Sequence, residues 1–227
     1  SSPSAPSSAA PRARSAPCRR PSNQRKHAAS TTSSRRANSA TLTPSSPGSA
    51  RAAPHAATAV PDTDMIPARV ITVSDRCHAG TAEDLSGPLA ARLLAEHGVE
   101  ASVTVIPDEV EVIRAAITSA AASGARLVFT TGGTGLSPRD VTPEATEPLL
   151  ATRIDGLAEA IRRRGEENVA SAALSRGLVG VTARSDEGAL VVNAPGSRGG
   201  VTDAVAIIGP LVAHIIDQLA GGDHPRA

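Results

Sequence analysis

From Ala68 onward the chain alternates short β-branched apolar runs with stretches of helical periodicity. That rhythm restricts it to an α/β fold in which a mostly parallel sheet is covered by helices, because a parallel strand can return to its neighbour only through a crossover. Arg69 to Val73 reads as a strand buried on both faces. A helix is predicted over Ser86 to His97, with Leu89, Leu93 and Leu94 on one face and Gly98 as its stop. Val99 to Ile106 is the second strand. Asp108 then stands where an N-cap is needed, with Glu111 three residues on, and a helical pattern follows to Gly124. Leu127 to Thr131 forms a strand that runs straight into Gly132-Gly133-Thr134-Gly135. Thr142-Pro143-Glu144 has the pattern of a helix start with a capping hydroxyl, and Gly156 to Asn168 that of a charged amphipathic helix. Leu178 to Thr182 and Ala189 to Asn193 flank a turn cluster and predict a hairpin, and Val201 to Leu219 supplies a closing helix.

The first 64 residues follow different rules. They hold nine basic side chains against Asp62 and Asp64, a net of +7, and are otherwise mostly Ser, Ala, Pro and Thr. Such a stretch cannot offset ~1–2 kcal/mol per residue of backbone ordering entropy, so a disordered tail is expected at 1–64 and a single domain at 65–227. The domain carries the opposite charge, −6, which the near-neutral total of +1 conceals. A nucleic-acid role for the tail lacks the aromatics that stack on bases, and a transit peptide fits its Arg and Ser content better. The simplest expectation is that Met65, the only Met, marks the natural start. Neither Arg pair of the tail (Arg19-Arg20, Arg35-Arg36) precedes an apolar stretch, and no apolar run approaches the ~20 residues of a membrane span. Cys18 and Cys77 are isolated, with neither metal-ligand spacing nor a disulfide framework, and a cytoplasmic location is expected. Phe129 is the only aromatic residue, so the core has to be aliphatic.

The chemistry concentrates in Thr130 to Ala145, TTGGTGLSPRDVTPEA. Glycines at the carboxyl end of a strand let the backbone approach a ligand and turn its N–H groups outward as an anion cradle. That edge is where open α/β sheets bind ligands. Arg139 offers a guanidinium fork for phosphate oxygens, and Asp140 a hard oxygen donor for Mg²⁺. A cradle, a cation and a carboxylate in one loop point to nucleotide chemistry. The loop lacks the Gly-Lys-Ser/Thr ending of a Walker A motif, and residues 65–227 contain no Lys. With no dinucleotide GxGxxG, zinc-ligand cluster or GxSxG elbow, the catalytic means left are positioning and electrostatics.

The segment TGGTGLSPRDVTPEA closely resembles the hallmark of the MogA/MoaB family. The likeness continues through Val73-Ser74-Asp75-Arg76, Asp84-Leu85-Ser86-Gly87, Pro107-Asp108-Glu109, Ala173-Leu174-Ser175-Arg176 and Asn193-Ala194-Pro195-Gly196-Ser197, and covers essentially residues 68–220. The resemblance implies a three-layer α/β sandwich, usually trimeric, that binds molybdopterin and uses Mg-ATP to adenylylate it, and it implies hand-over to a molybdate-inserting enzyme. The family's two catalytic, metal-holding aspartates carry over to Asp108 and Asp140. Gly132, Gly133, Thr134 and Gly135 would cradle phosphate or ribose, with Arg139 beside them. Ser175, Arg176, Pro195, Gly196 and Ser197 would line the pterin and phosphate pocket, and Ser74 and Asp75 would close the first strand at the same edge. The loop Pro-Gly-Ser-Arg-Gly-Gly is nearer the MoaB form than the MogA form, which keeps open a molybdopterin- or nucleotide-binding role without turnover.

Overall fold

The computed structural model describes residues 65–222; the tail expected at 1–64 lies outside them, as do residues 223–227. Strands β1 (Ile66–Val73), β2 (Val99–Ile106), β3 (Leu127–Thr131), β4 (Thr152–Arg153), β5 (Val179–Val181) and β6 (Leu190–Ala194) form one sheet in the order β2-β1-β3-β6-β5-β4. The pairs β1–β2, β1–β3 and β3–β6 are parallel. The predicted hairpin is present as the antiparallel pair β5–β6, and β4, which no periodicity announces, adds to its outer edge.

Two apolar layers sandwich the sheet, and the strand period of two decides which residue joins which. Ala68 and Val70 of β1, Phe129 of β3 and Val192 of β6 face one side. They meet Leu94 of α2 (Gly87–Ala95), Ile161 of α5 (Asp155–Glu166) and Val205 and Ile208 of α6 (Arg198–Ile208). Ile71, Val73, Val128 and Val191 face the other side, against Ile113 and Ile117 of α3 (Val110–Ala122). Every residue of β3 is buried, which is why its sequence is a continuous apolar-to-Thr run without alternation. Each large side chain taken wholly out of water here contributes ~1.5–3 kcal/mol. The three layers of the expected sandwich are all present.

Several helix ends differ from the sequence expectation. Asp108 does not cap α3: Glu109 holds that position without a side-chain bond, and the Asp108 carboxylate turns away to accept from the Asp75 amide at 2.7 Å. Thr142 lies inside α4 (Thr142–Thr146) and donates its hydroxyl to the Gly132 carbonyl at 2.9 Å. Ser86 flanks α2 but caps nothing itself; Asp84 Oδ1 accepts from the Ser86 and Gly87 amides, both at 3.0 Å. The closing helix is broken. A 3-10 turn at Gly209–Leu211 separates α6 from α7 (Val212–Leu219), where Pro210 cannot continue the helical hydrogen bonds.

Taken as one run, Arg198–Leu219 spans 22 residues and contains an 18-residue window of mean hydropathy 1.6, long and apolar enough to cross a membrane by length and composition, which corrects the expectation that no run reaches that length. Its Val201, Ala204, Val205, Ile208 and Val212 belong to the buried core beneath the sheet, the pattern of a core helix.

Candidate functional site

Every predicted site residue comes from a segment leaving the carboxyl end of a parallel strand or from the loop that packs there. Ser74 and Asp75 follow β1, Asp108 follows β2, Gly132 to Gly135 follow β3, and Pro195 to Ser197 follow β6. Backbone contacts hold the central loops together. The Gly132 amide donates to the Ala194 carbonyl at 3.1 Å, and the Thr131 hydroxyl to the Pro195 carbonyl at 3.0 Å. Two cavities open on either side of this joint. A polar one of about 610 Å³ is lined by Ser74, Asp75, Asp108, Arg139 and Asp140. A more apolar one of about 600 Å³ is lined by Thr134, Gly135, Ser175, Pro195 and Ser197, with Leu136, Val169 and Leu174 exposed along it. Gly132, Gly133, Asp140 and Gly196 border both.

Asp75 and Asp108 are tied reciprocally. The Asp75 amide donates to Asp108 Oδ2 at 2.7 Å, and the Asp108 amide donates to Asp75 Oδ1 at 3.0 Å. Asp75 Oδ2 accepts from Arg139 Nε at 2.9 Å and Nη2 at 2.6 Å. The Asp108 amide, then the Arg139 fork, hold the Asp75 carboxyl below its ordinary range. Asp108 moves the opposite way: loss of water raises its pKa, and the charges of Asp75 and Asp140 add to the rise, outweighing the bond from the Asp75 amide. Asp140 Oδ2 accepts from the Ser137 amide at 2.8 Å, closing a turn of the loop. Both carboxylates lie against the glycines. A Cβ placed on Gly133 would stand 3.2 Å from Asp108 Oδ1, and one on Gly135 would stand 2.9 Å from Asp140 Oδ2.

Arg176 was expected in the pocket wall but lines neither cavity. Its guanidinium grips the glycine loop from behind, donating from Nε to the Gly135 carbonyl at 2.7 Å and from Nη2 to the Asp140 carbonyl at 2.5 Å, and it pairs with Glu144. That bond holds the Glu144 carboxyl below its usual range. Ser197 and Ser74 each accept an amide as helix caps, of α6 and of the short helix α1 (Asp75–His78), and each keeps its hydroxyl proton to donate. Three supporting residues escaped the sequence reading. Glu144 and Thr142 brace the loop, and Asn193, wholly inside, donates to Thr130 and Thr146 at 3.0 and 3.1 Å. The available signal was an Asn within the apolar run Leu-Val-Val-Asn-Ala, since a buried amide needs partners.

The family model described as a probable molybdopterin-binding domain matches residues 69–214. The chain belongs to the MogA/MoaB family of molybdopterin-binding domains. It is 42% identical over 158 residues to a molybdenum cofactor biosynthesis bifunctional protein of Synechococcus elongatus, covering 69% of this chain and 48% of that protein. A molybdopterin adenylyltransferase of Pyrococcus furiosus is 36% identical over 148 residues, covering 65% of this chain and 87% of that protein. A solved molybdopterin biosynthesis protein from Mycobacterium abscessus superposes with a TM-score of 0.64 at 43% identity, covering 68% of this chain and 96% of that one. The chain thus spans about half the length of the bifunctional relative and most of the length of the shorter one.

In this MogA/MoaB-family domain no group of three or more His, Cys, Asp or Glu side chains is arranged to hold a metal ion among the described residues. Two carboxylates on one polar cavity nevertheless fit Mg²⁺, which is commonly bound through one or two carboxylates plus substrate phosphates and keeps several waters. Another acid on the cavity, Asp84, has a supporting role. Desolvation alone would raise its pKa, but bonds from the Gly87 amide, the Thr72 hydroxyl at 2.7 Å and Ser86 outweigh it and the net shift is downward. A carboxylate whose folded pKa lies below its unfolded one stabilises the fold above the unfolded value, and that contribution is lost as pH falls through the lowered folded value. Stability of the wild type should therefore drop on acidification below about pH 4, and Asp84→Asn should flatten that drop while lowering stability at neutral pH. Denaturant midpoints measured across this range test it; parallel curves for the two proteins would remove Asp84 from the account.

Proposed function

We propose that the domain catalyses Mg-ATP-dependent adenylylation of molybdopterin. The terminal phosphate of molybdopterin attacks the α-phosphate of ATP; a new P–O–P bond forms, the bond between the α- and β-phosphates breaks, and pyrophosphate leaves with the electron pair. The observation that carries this reading is the meeting of two unlike cavities at Gly132–Gly133. The polar one suits a nucleotide and its phosphates, the more apolar one a fused ring, and their shared border is where two phosphates would react. The amides of Gly133, Thr134 and Gly135, the Arg139 nitrogen not spent on Asp75, and the hydroxyls of Ser175 and Ser197 would bind and orient the anions. Arg176 would hold the loop rather than the ligand. Asp108 and Asp140 would hold Mg²⁺, which when bound supplies charge neutralisation between the two anions.

A trimer is the working assembly that the family resemblance suggests, and Ile215, Ile216 and Leu219 of α7, packed against the core yet partly exposed, would supply apolar surface to such a contact. We further place the reaction in the cytoplasm, ahead of a molybdate-inserting enzyme that takes the adenylylated product. Incubating the purified protein with molybdopterin, ATP and Mg²⁺ should yield adenylylated molybdopterin and one pyrophosphate per product. Tight binding of both substrates with no product would instead establish the binding-only role that the Pro-Gly-Ser-Arg-Gly-Gly loop keeps open.

A further inference from the structure

Thirteen arginines are the only long-chain cations among the described residues, and ten of them are engaged through their side chains, from Arg69 with Ser102 to Arg176 with Glu144. Only Arg76, Arg184 and Arg198 make no ion pair and no side-chain hydrogen bond. Two of these three, Arg76 and Arg198, line the same cavity, the polar one that holds Asp108 and Asp140. Arg76 stands just beyond β1 and Arg198 just beyond β6, and β1 and β6 are the two neighbours of β3. The glycine loop that leaves β3 is therefore flanked by an unpaired guanidinium on each side.

The other charged groups lining this cavity are mostly engaged. Arg139 is paired with Asp75 through Nε and Nη2, Asp84 accepts from Thr72, Ser86 and Gly87, and the exposed Glu83 alone among the acids has no partner. With a divalent cation on Asp108 and Asp140, those two carboxylates are offset as well, and Arg76 and Arg198 remain as the two cations of the cavity without a partner. An exposed guanidinium in water needs none, but two lining one cavity beside a phosphate cradle offer an anion two separate guanidinium forks.

We propose that Arg76 and Arg198 are the binding residues for the two outer phosphates of a nucleoside triphosphate, the group released as pyrophosphate. The assignment rests on the nucleotide reading above and adds a specificity: the arginines distinguish a triphosphate from a monophosphate. The α-phosphate stays with the glycine loop, and both guanidinia act on what lies beyond it.

Equilibrium titrations of the full chain with ATP, AMP and inorganic pyrophosphate in the presence of Mg²⁺ test the proposal. Arg76→Gln and Arg198→Gln should each weaken ATP and pyrophosphate roughly tenfold and together roughly a hundredfold, with AMP changed less than about twofold. Arg184→Gln, which removes an equally unpaired arginine from a different groove, is the control for net charge and should leave all three ligands unchanged. Because all three side chains are exposed, the variants should melt with the wild type. Equal weakening of ATP and AMP, or an Arg184→Gln effect as large as the others, would overturn the assignment. If the double variant still transfers adenylate with an unchanged KM for ATP, the arginine assignment falls while adenylyl transfer stands. If ATP binding depends on both arginines yet the wild type forms no product, transfer falls and the arginine assignment stands. A wild type that binds neither ATP nor pyrophosphate defeats both.

Discussion

Replacing Asp140 by Asn should lower adenylyl transfer by about a thousandfold or more while leaving the fold and the affinity for molybdopterin nearly intact. The substitution removes a charge and keeps the shape. The amide oxygen of Asn can still accept from the Ser137 amide, so the turn that Asp140 closes survives. What it cannot do is offset a divalent cation in a cavity that also contains Asp75 and Asp108. Asp108→Asn should behave similarly, and its reading is cleaner than the sequence promised. Because Asp108 caps no helix, loss of activity cannot be traced to a frayed α3. Steady-state rates at saturating ATP and molybdopterin, taken with thermal melts, decide the matter. Turnover surviving in both variants would end the metal-aspartate account; loss of activity together with loss of the melt would mean that the carboxylates serve the fold.

Gly132→Ala should lower stability by about 3 kcal/mol or more, a fall of roughly 6–12 °C in Tm for a domain of this size. Gly132 has φ +107, a conformation that side chains rarely adopt, and an added Cβ would overlap the Val73 carbonyl oxygen. That oxygen belongs to the buried end of β1 and cannot move without disturbing the sheet. Activity should fall further than stability, because displacing Gly132 shifts the border shared by both cavities. Gly133→Ala offers a graded comparison: its φ is +61, and the neighbour it would strike is the hydroxyl of Thr142 rather than backbone. Differential scanning calorimetry of the two variants should rank Gly132→Ala as the more damaging. The reverse order would show that the loop, rather than the strand end, absorbs the strain.

The parallel strands were legible because burial on both faces leaves an unbroken apolar run, as in Leu127–Thr131, whose predicted and observed limits coincide. The glycine loop was legible for a related reason, since several glycines directly after a buried strand serve little purpose in packing. Two features of the fold were hidden. The two-residue strand Thr152–Arg153 exists through backbone pairing with Val181 and Gly180, which leaves no side-chain period to read. In the closing helix the apolar spacing on both sides of Gly209-Pro210 masked the break. Within the site, Asp108 fitted two patterns at once, helix cap and ligand, and only the distance to the Asp75 amide separates them. The position of Arg176 could not be read at all. Its partners lie 32 to 41 residues earlier in the chain, and no local rule says whether an arginine in a loop faces a ligand or the back of another loop.

The paired bonds between Asp75 and Asp108 bear on the timing of catalysis. Each residue fixes the other's carboxylate with its own amide, so the ends of β1 and β2 are cross-laced in both directions, and neither carboxylate can rotate freely without breaking a bond to the neighbouring strand. A pair of acids on a mobile loop would have to surrender rotational freedom whenever a nucleotide arrived, and that cost would be charged to binding or to the barrier. Here the ordering is completed during folding, by contacts that form whether or not a ligand is present. In the proposed reaction the domain would thus meet its substrates with the acid groups already preorganised, and the free energy of binding would be left to bring two phosphates together.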